Sequence, residues 1–275
     1  ATGQARRRIP YEPLVPGFKH VHPLKVDEIE QVIQWEGAQT VAAVIAEPII
    51  GGGGVIVPPD DYFPRLRKIC DKYELLLIID EVITGFGRTG ELFACHHWNL
   101  QPDIITLAKG ITSGYLPLGA CVATDQVFEA FMGSSEDRLE FEQVCTYGGH
   151  PVVCAAARAN LDILTREKLW ENAAQVGTHI RQKLQSLVEF PIVKEVRGKG
   201  LMIAIELVEA DGSNLATANT NLITQQLKES GILVGKIGHA LEEPENILFL
   251  APPLILTLEQ ADRIIDAVTT VISQH

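Results

Sequence analysis

At 275 residues, the chain can bury a sizeable core, either as one large α/β domain or as two smaller ones. Its formal net charge of −12, with Arg6-Arg7-Arg8 as the only basic run, argues against a nucleic-acid-binding surface. No apolar run is long enough to span a bilayer, and the first residues lack the hydrophobic core of a signal peptide.

The five cysteines form no C-x-x-C pair and have no metal-ligand spacing, so we predict no metal site. Their odd number and their places in apolar segments predict reduced, mostly buried thiols, with Cys154 packed against a helix neighbour. This usage is typical of a cytoplasmic protein.

The first predicted elements lead to an acidic strand end. Residues 1–24 contain four prolines and are predicted to be extended and loop-like. A helix is predicted over 24–36, where apolar residues recur at helical spacing. The nearly continuous apolar run 41–47 predicts a buried parallel strand that closes at Glu47. The four glycines at 51–54 lack the lysine and the helix of a phosphate-binding loop, so we interpret them as a flexible loop beside a substrate entrance.

Two further strands carry the most informative side chains. The apolar run 75–79 leads into Asp80, and the run 103–107 is followed by Lys109. If these strands are parallel neighbours, both side chains emerge at the carboxyl edge of the sheet, where open α/β sheets bind ligands. Such a pair suits pyridoxal phosphate, since a carboxylate keeps a pyridinium protonated and an amine forms a Schiff base. An isolated pair of this kind is more often a helix cap and an exposed loop lysine.

The character of the chain changes at about residue 168, where we place a boundary between a domain over 1–167 and a smaller one over 168–275. The other predicted elements are a helix of about 13 residues starting near 58, a return strand over 118–123, helices over 152–164 and 169–187, a strand pair within 196–207, a helix over 220–230, an extended run over 247–256 and a final helix over 258–272.

Two motifs carry a family resemblance. Residues 80–90 read D-E-V-I-T-G-F-G-R-T-G, and residues 102–110 read P-D-I-I-T-L-A-K-G, with Gly114, Pro117 and Gly119 following at fixed spacing. This pattern resembles the class III, or ornithine-aminotransferase-like, aminotransferases that use pyridoxal 5'-phosphate (PLP). The resemblance implies an α/β protein of fold type I, in which a mostly parallel sheet flanked by helices forms part of the large domain. An α+β small domain is expected at the carboxyl-terminal end.

The resemblance also implies roles for individual residues. Lys109 would form the Schiff base and carry protons, and Asp80 would hold the pyridinium nitrogen. Val82 would pack on the far face of the ring, and Glu47 would lie beneath the cofactor near its 3-hydroxyl side. Thr146, in the motif T-Y-G-G-H-P, would reach the cofactor phosphate of the neighbouring subunit in a homodimer. A strand-end acid in a loop and a helix N-cap are the structural alternatives for Glu47 and Thr146.

Two further residues are interpreted as structural. Arg88 is expected to order its loop by hydrogen bonds, and His150 to be a satisfied loop residue.

The matched motifs begin in the middle of the family's large domain, so the loop that holds the cofactor phosphate in relatives is expected upstream of this chain. Many relatives also hold a substrate carboxylate with an arginine before the A-P-P-L-like segment. This chain has no arginine between Arg197 and Arg263, although Lys236 or His239 could replace it.

The resemblance therefore implies amino transfer from an amine or ω-amino acid, including amino sulfonates, to a 2-oxo acid. Aminomutase, racemase or decarboxylase chemistry with the same cofactor remains an alternative, as does an inactive fragment or a structural subunit.

Overall fold

The structure is a computed structural model that describes residues 2–133, 136–137, 139–238 and 244–275, without the side chain of Arg6. Its first sheet contains four strands in the order in which they occur along the chain: β1 (Ala43–Ala46), β2 (Leu76–Asp80), β3 (Ile104–Leu107) and β4 (Ala120–Ala123). The first three strands are parallel, and β4 returns antiparallel to β3. The sheet is thus mixed and mostly parallel, as predicted.

Helices cover this sheet with apolar side chains. The first five helices of the chain are α1 (Ala5–Arg8), α2 (Val26–Glu36), α3 (Tyr62–Lys72), α4 (Asp125–Glu129) and α5 (Pro151–Arg166). The apolar stripes of α2 and α3 share a core with Leu77 and Ile79 of β2, which are fully buried. A second cluster joins α5 to Leu107 at the end of β3 and to Ile111. Because these contacts flank the strand ends, they fix the edge at which β2 and β3 finish.

The second sheet is antiparallel throughout and has the order β5-β6-β8-β7. Its strands are β5 (Val193–Lys199), β6 (Met202–Leu207), β7 (Gly235–Ile237) and β8 (Ile247–Leu250). Helices α6 (Leu169–Leu184), α7 (Thr217–Glu229) and α8 (Leu258–Ile272) share one large core with it. The final helix has the predicted bounds, because Thr257 and Gln260 form a capping box at its start.

Closely stacked backbone joins the two sheets. A Cβ atom on Gly177 of α6 would lie 2.0 Å from the carbonyl oxygen of Gly200, and one on Gly200 would lie 2.3 Å from the carbonyl carbon of Thr89. Arg88 donates hydrogen bonds to the carbonyl oxygens of Leu201, at 3.0 Å, and Pro252, at 2.6 Å. The prediction that Arg88 orders its loop is confirmed. The domain boundary after residue 167 remains a proposal.

The prediction for the start of the chain is wrong. Residues 1–24 are not entirely loop-like, since α1 is followed by a 3-10 turn over Ile9–Tyr11. Pro10 is tolerated there because the first turn of a helix does not use its N–H groups.

The cysteines are also less buried than predicted. Cys70 and Cys95 are buried, but Cys121, Cys145 and Cys154 are exposed, because β4, the loop before α5 and one face of α5 point outward. Among the described residues, no helix combines the length and the apolar character that crossing a bilayer requires.

Candidate active site

Three ionisable side chains lie at the carboxyl edge of the first sheet. Glu47 directly follows β1, Asp80 ends β2, and Lys109 stands two residues beyond the end of β3. The parallel register pairs Ala46 with Ile79 and Asp80 with Thr106, so the three strands finish side by side. This is the edge at which open α/β sheets bind ligands.

Asp80 is half-buried and fixed by its own turn. Its Oδ1 atom accepts the backbone N–H of Val82 at 3.0 Å, which orients the carboxylate, and no cationic side chain within the described ranges forms an ion pair with it. Asp80 and Glu47 both line a cavity of about 390 Å³ between the first sheet and the segment that precedes α2. An acceptor that is oriented but not neutralised can bind a positively charged N–H group.

Glu47 is the residue through which the three strand ends interact. Burial raises the pKa of its carboxyl above the usual range, and the negative charge of Asp80 raises it further. The N–H of Gly51, which donates to Glu47 Oε2 at 3.0 Å, and the positive charge of Lys109 lower this pKa. Glu47 is therefore within electrostatic reach of both Asp80 and Lys109.

Lys109 combines an exposed side chain with an unusual backbone. Its φ of +42° lies in the left-handed region, which costs a residue other than glycine about 1–3 kcal/mol. The turn that begins at Lys109 is held by Asn160 of α5, whose amide donates to the carbonyl oxygens of Gly110, at 2.9 Å, and Ile111, at 3.1 Å. Strain that surrounding contacts maintain is a feature of functional sites, and here it presents an amine at the sheet edge.

The remaining predicted residues differ in position. Val82 is half-buried beside Asp80, whereas Thr146 is exposed in the loop before α5. The contact predicted for Thr146 lies in another subunit, so the role remains a prediction. His150 caps α5 by accepting the N–H of Val152 at 3.3 Å, as expected of a structural residue.

Sequence reasoning missed Glu81. This residue is fully buried, and its carboxylate accepts the hydroxyl of Thr84 at 2.5 Å and the backbone N–H groups of Ala94, at 3.0 Å, and Cys95, at 2.7 Å. It thereby begins a 3-10 turn that has no N-cap side chain of its own. The sequence has no capping residue directly before this turn, and it has a second acidic residue next to Asp80. These two features together could have predicted that Glu81 caps the turn.

The glycines at 51–54 form a packed turn, and the prediction of a flexible loop is wrong. Arg197 of β5 donates from Nε to the carbonyl oxygens of Gly54, at 2.9 Å, and Val55, at 3.1 Å. A Cβ atom on Gly51 would come within 2.8 Å of the Cδ1 atom of Ile83, so a larger residue there would require the Ile83 side chain to move.

The two suggested replacements for a carboxylate-binding arginine give no support for that role. Lys236 already pairs with Glu245 at 2.9 Å. His239 lies outside the described residues.

Comparison with known proteins agrees with this geometry. The family model described as aminotransferase class-III matches residues 6–272. The chain belongs to the class III aminotransferases. It is 43% identical to the uncharacterized aminotransferase YhxA of Bacillus subtilis over 98% of this chain and 63% of the relative. It is 40% identical to the taurine–pyruvate aminotransferase of Bilophila wadsworthia over 96% of this chain and 62% of the relative.

A solved structure supports the fold. An amine transaminase from an uncultivated Pseudomonas species, in its PLP-bound form, superposes with a TM-score of 0.84 at 44% identity. The match covers 90% of this chain and 56% of the other. The fold is therefore that of the fold-type-I aminotransferases, as predicted. The chain spans less than two thirds of the length of these relatives.

Proposed function

We propose that this protein is a PLP-dependent aminotransferase that moves an amino group from an amine or ω-amino acid to a 2-oxo acid. The observation that carries the proposal is the convergence of Glu47, Asp80 and Lys109 on one sheet edge, in a chain of this family. The sequence resemblance and the PLP-bound relative support the choice of cofactor.

The residues present fit that cofactor chemically. When bound, PLP supplies an aldehyde that bonds amines and a pyridinium ring that withdraws electrons from them. Asp80 offers an oriented carboxylate to the ring N–H, and Lys109 offers an amine at the same edge. Val82 stands beside Asp80, where it can cover one face of an aromatic ring.

Each residue then has a distinct task. The Lys109 amine would hold the cofactor covalently and, once displaced by the substrate, would accept a proton from the substrate's α carbon and return it to the cofactor. Asp80 would keep the ring nitrogen protonated. Glu47 would set the local charge beneath the ring. Thr146 would donate its hydroxyl to the phosphate held by the neighbouring subunit of a homodimer.

Two observations support an amine, an ω-amino acid or an amino sulfonate as the donor. The stretch between Arg197 and Arg263 contains no arginine to pair with a substrate carboxylate. One relative is named for taurine, an amino sulfonate. The proposal also places the protein in the cytoplasm, where its five free thiols would stay reduced.

The test follows the cofactor and the amino group separately. PLP is added to the purified full-length protein, the adduct is reduced with borohydride, and mass spectrometry locates the modified residue. We expect modification at Lys109. In a separate, unreduced sample, an amine donor without an acceptor should yield pyridoxamine phosphate, and a 2-oxo acid should restore the starting spectrum. Modification without this half-reaction would indicate an aminomutase, racemase or decarboxylase, and no modification at Lys109 would exclude the proposed enzyme.

A further inference from the structure

The turn formed by the glycines at 51–54, called the glycine turn below, lies between the first sheet and the second. Backbone hydrogen bonds at 3.0 and 3.1 Å pair Ile50 with Ile56 and close the turn. The first sheet holds one end of it through Glu47, which accepts the Gly51 N–H. Whatever fixes the other end therefore helps to determine where that N–H points.

The second sheet holds the other end in two ways: Val55 packs against Met202 and Ile247, and one side chain, that of Arg197, donates hydrogen bonds to the turn. The Arg197 guanidinium donates from Nε to Gly54 and Val55, and from Nη2 to the Gly54 oxygen at 2.5 Å. Val55 needs such support, since it is fully buried and has a φ of +54°. Left-handed backbone at a β-branched residue persists only where its surroundings impose it.

Arg197 is itself fixed by buried charge. Its Nη1 atom donates to Glu206 Oε2 at 2.6 Å, and the side chain of Glu206 is 2% exposed. Glu206 also pairs with Lys194 at 2.7 Å, and Glu195 pairs with the same Nη1 atom of Arg197. The planar fork of arginine can serve the carboxylates and the turn carbonyls together, whereas a lysine ammonium cannot reproduce this pattern.

We propose that Arg197 is a positioning residue for Glu47: by clamping the carbonyl oxygens of Gly54 and Val55, it holds the glycine turn so that the Gly51 N–H meets the Glu47 carboxylate. The second sheet thereby influences the charge of Glu47, which interacts with Asp80. The effect of this contact on catalysis rests on the proposed function, but the contact chain itself does not.

Glu47 also faces other charged groups, which bear on any pH measurement. Asp80 and Lys109 act on it from the neighbouring strand ends. Lys19 and His20 line the same cavity from the segment before α2. Any pH profile therefore has to be compared between variants that leave these four groups unchanged.

The first experiment uses hydrogen–deuterium exchange on the cofactor-free full-length protein. Arg197→Lys keeps a positive charge beside Glu206 but loses the forked donors to the turn. We expect exchange in the segment 47–57 to be about tenfold faster, the scale of a lost charge-assisted hydrogen bond, with no change in β6. Lys194→Met is the matched control, because it removes the other cation on Glu206 without touching the turn, and it should leave this segment unchanged.

Two results would overturn the proposal at this stage. Unchanged exchange in 47–57 would show that Arg197 does not hold the turn. Faster exchange in β6 as well as in the turn would show that Arg197 supports the fold as a whole.

The second experiment uses the cofactor-loaded protein and a double-mutant cycle. The pH midpoint of the visible absorbance of the bound cofactor is compared in the parent protein, Arg197→Lys, Glu47→Gln and the double variant. If Arg197 acts through Glu47, both single variants shift the midpoint in the same direction, and the double variant matches Glu47→Gln. Additive shifts would overturn the proposal. Failure to trap the cofactor on Lys109 would overturn only the proposed function, since the exchange experiment needs no cofactor.

Discussion

The two sheets place acidic side chains in opposite electrostatic surroundings. In the second sheet, Glu206 lies on a strand whose residues are all buried, and two cations neutralise it. At the edge of the first sheet, Glu47 has one backbone N–H donor and feels charges of both signs from Asp80 and Lys109. The ion cluster keeps Glu206 paired in a fixed position, whereas an acid with opposing neighbours can change its charge when a ligand binds.

The largest effect is expected from a substitution in the site at the edge of the first sheet. Lys109→Ala removes the only amine proposed to bond the cofactor and to carry the proton, so amino transfer should fall by at least about 10³-fold. Single-turnover rates measure the loss. Lys183→Ala, on the exposed side of α6, is the control and should retain the parent rate. Near-parental turnover by Lys109→Ala would remove the basis for the site.

The next largest effect is expected from a substitution in the ion cluster of the second sheet, which contains Glu206, Arg197, Lys194 and Glu195. Glu206→Ala leaves the largely buried Arg197 without its best partner and should lower the free energy of unfolding by about 3 kcal/mol. Glu195 still pairs with Arg197, which keeps the loss near the low end for a broken buried pair. Denaturant titration measures the change, and the exposed Glu189→Ala should stay within about 0.5 kcal/mol. Equal stability of the two variants would mean that this cluster contributes little.

A smaller effect separates charge from shape at Asp80. Asp80→Asn keeps the oxygen that accepts the Val82 N–H but removes the negative charge, so amino transfer should fall by about 10²-fold while the cofactor stays bound. The effect is measured by comparing kcat between Asp80→Asn and the parent protein and by determining how much cofactor each retains. The exposed Asp60→Asn is the matched control. A parental kcat would indicate that Asp80 only shapes its turn.

The smallest expected effect is a pH-dependent change in stability at Glu47, which tests whether its charge differs in behaviour from that of Glu206. Because burial raises the pKa of Glu47, the native state takes up a proton more readily than the unfolded chain does. The free energy of unfolding therefore falls as pH rises above about 4.5, the ordinary pKa of a glutamate carboxyl. The loss is complete once the pH exceeds the raised pKa of Glu47 in the folded protein. Glu47→Gln should therefore raise the melting temperature of the cofactor-free protein at pH 7.5 and not at pH 4. An equal gain at both pH values would point to packing instead of charge.

Local sequence pattern was sufficient to predict an element when the residues that determine it lie within that element or next to it. The final helix was predicted with its observed bounds from periodic apolar residues, and the structure adds a capping box at its start. The order of Asp80 and Lys109 at neighbouring strand ends followed from two apolar runs and the position of each charge behind them. Local pattern failed for the glycine turn, whose partner Arg197 lies 143 positions away.

By itself, the sequence determined the alternation of strands and helices, the family, and the acid and the amine at one sheet edge. Only the tertiary structure decided which acid at the end of β2 is buried, with Glu81 accepting two backbone N–H groups while Asp80 faces the cavity. It also decided that Arg197 holds the glycine turn. The reason is physical: periodicity and capping depend on neighbours along the chain, whereas burial and charge depend on what the folded chain brings close in space.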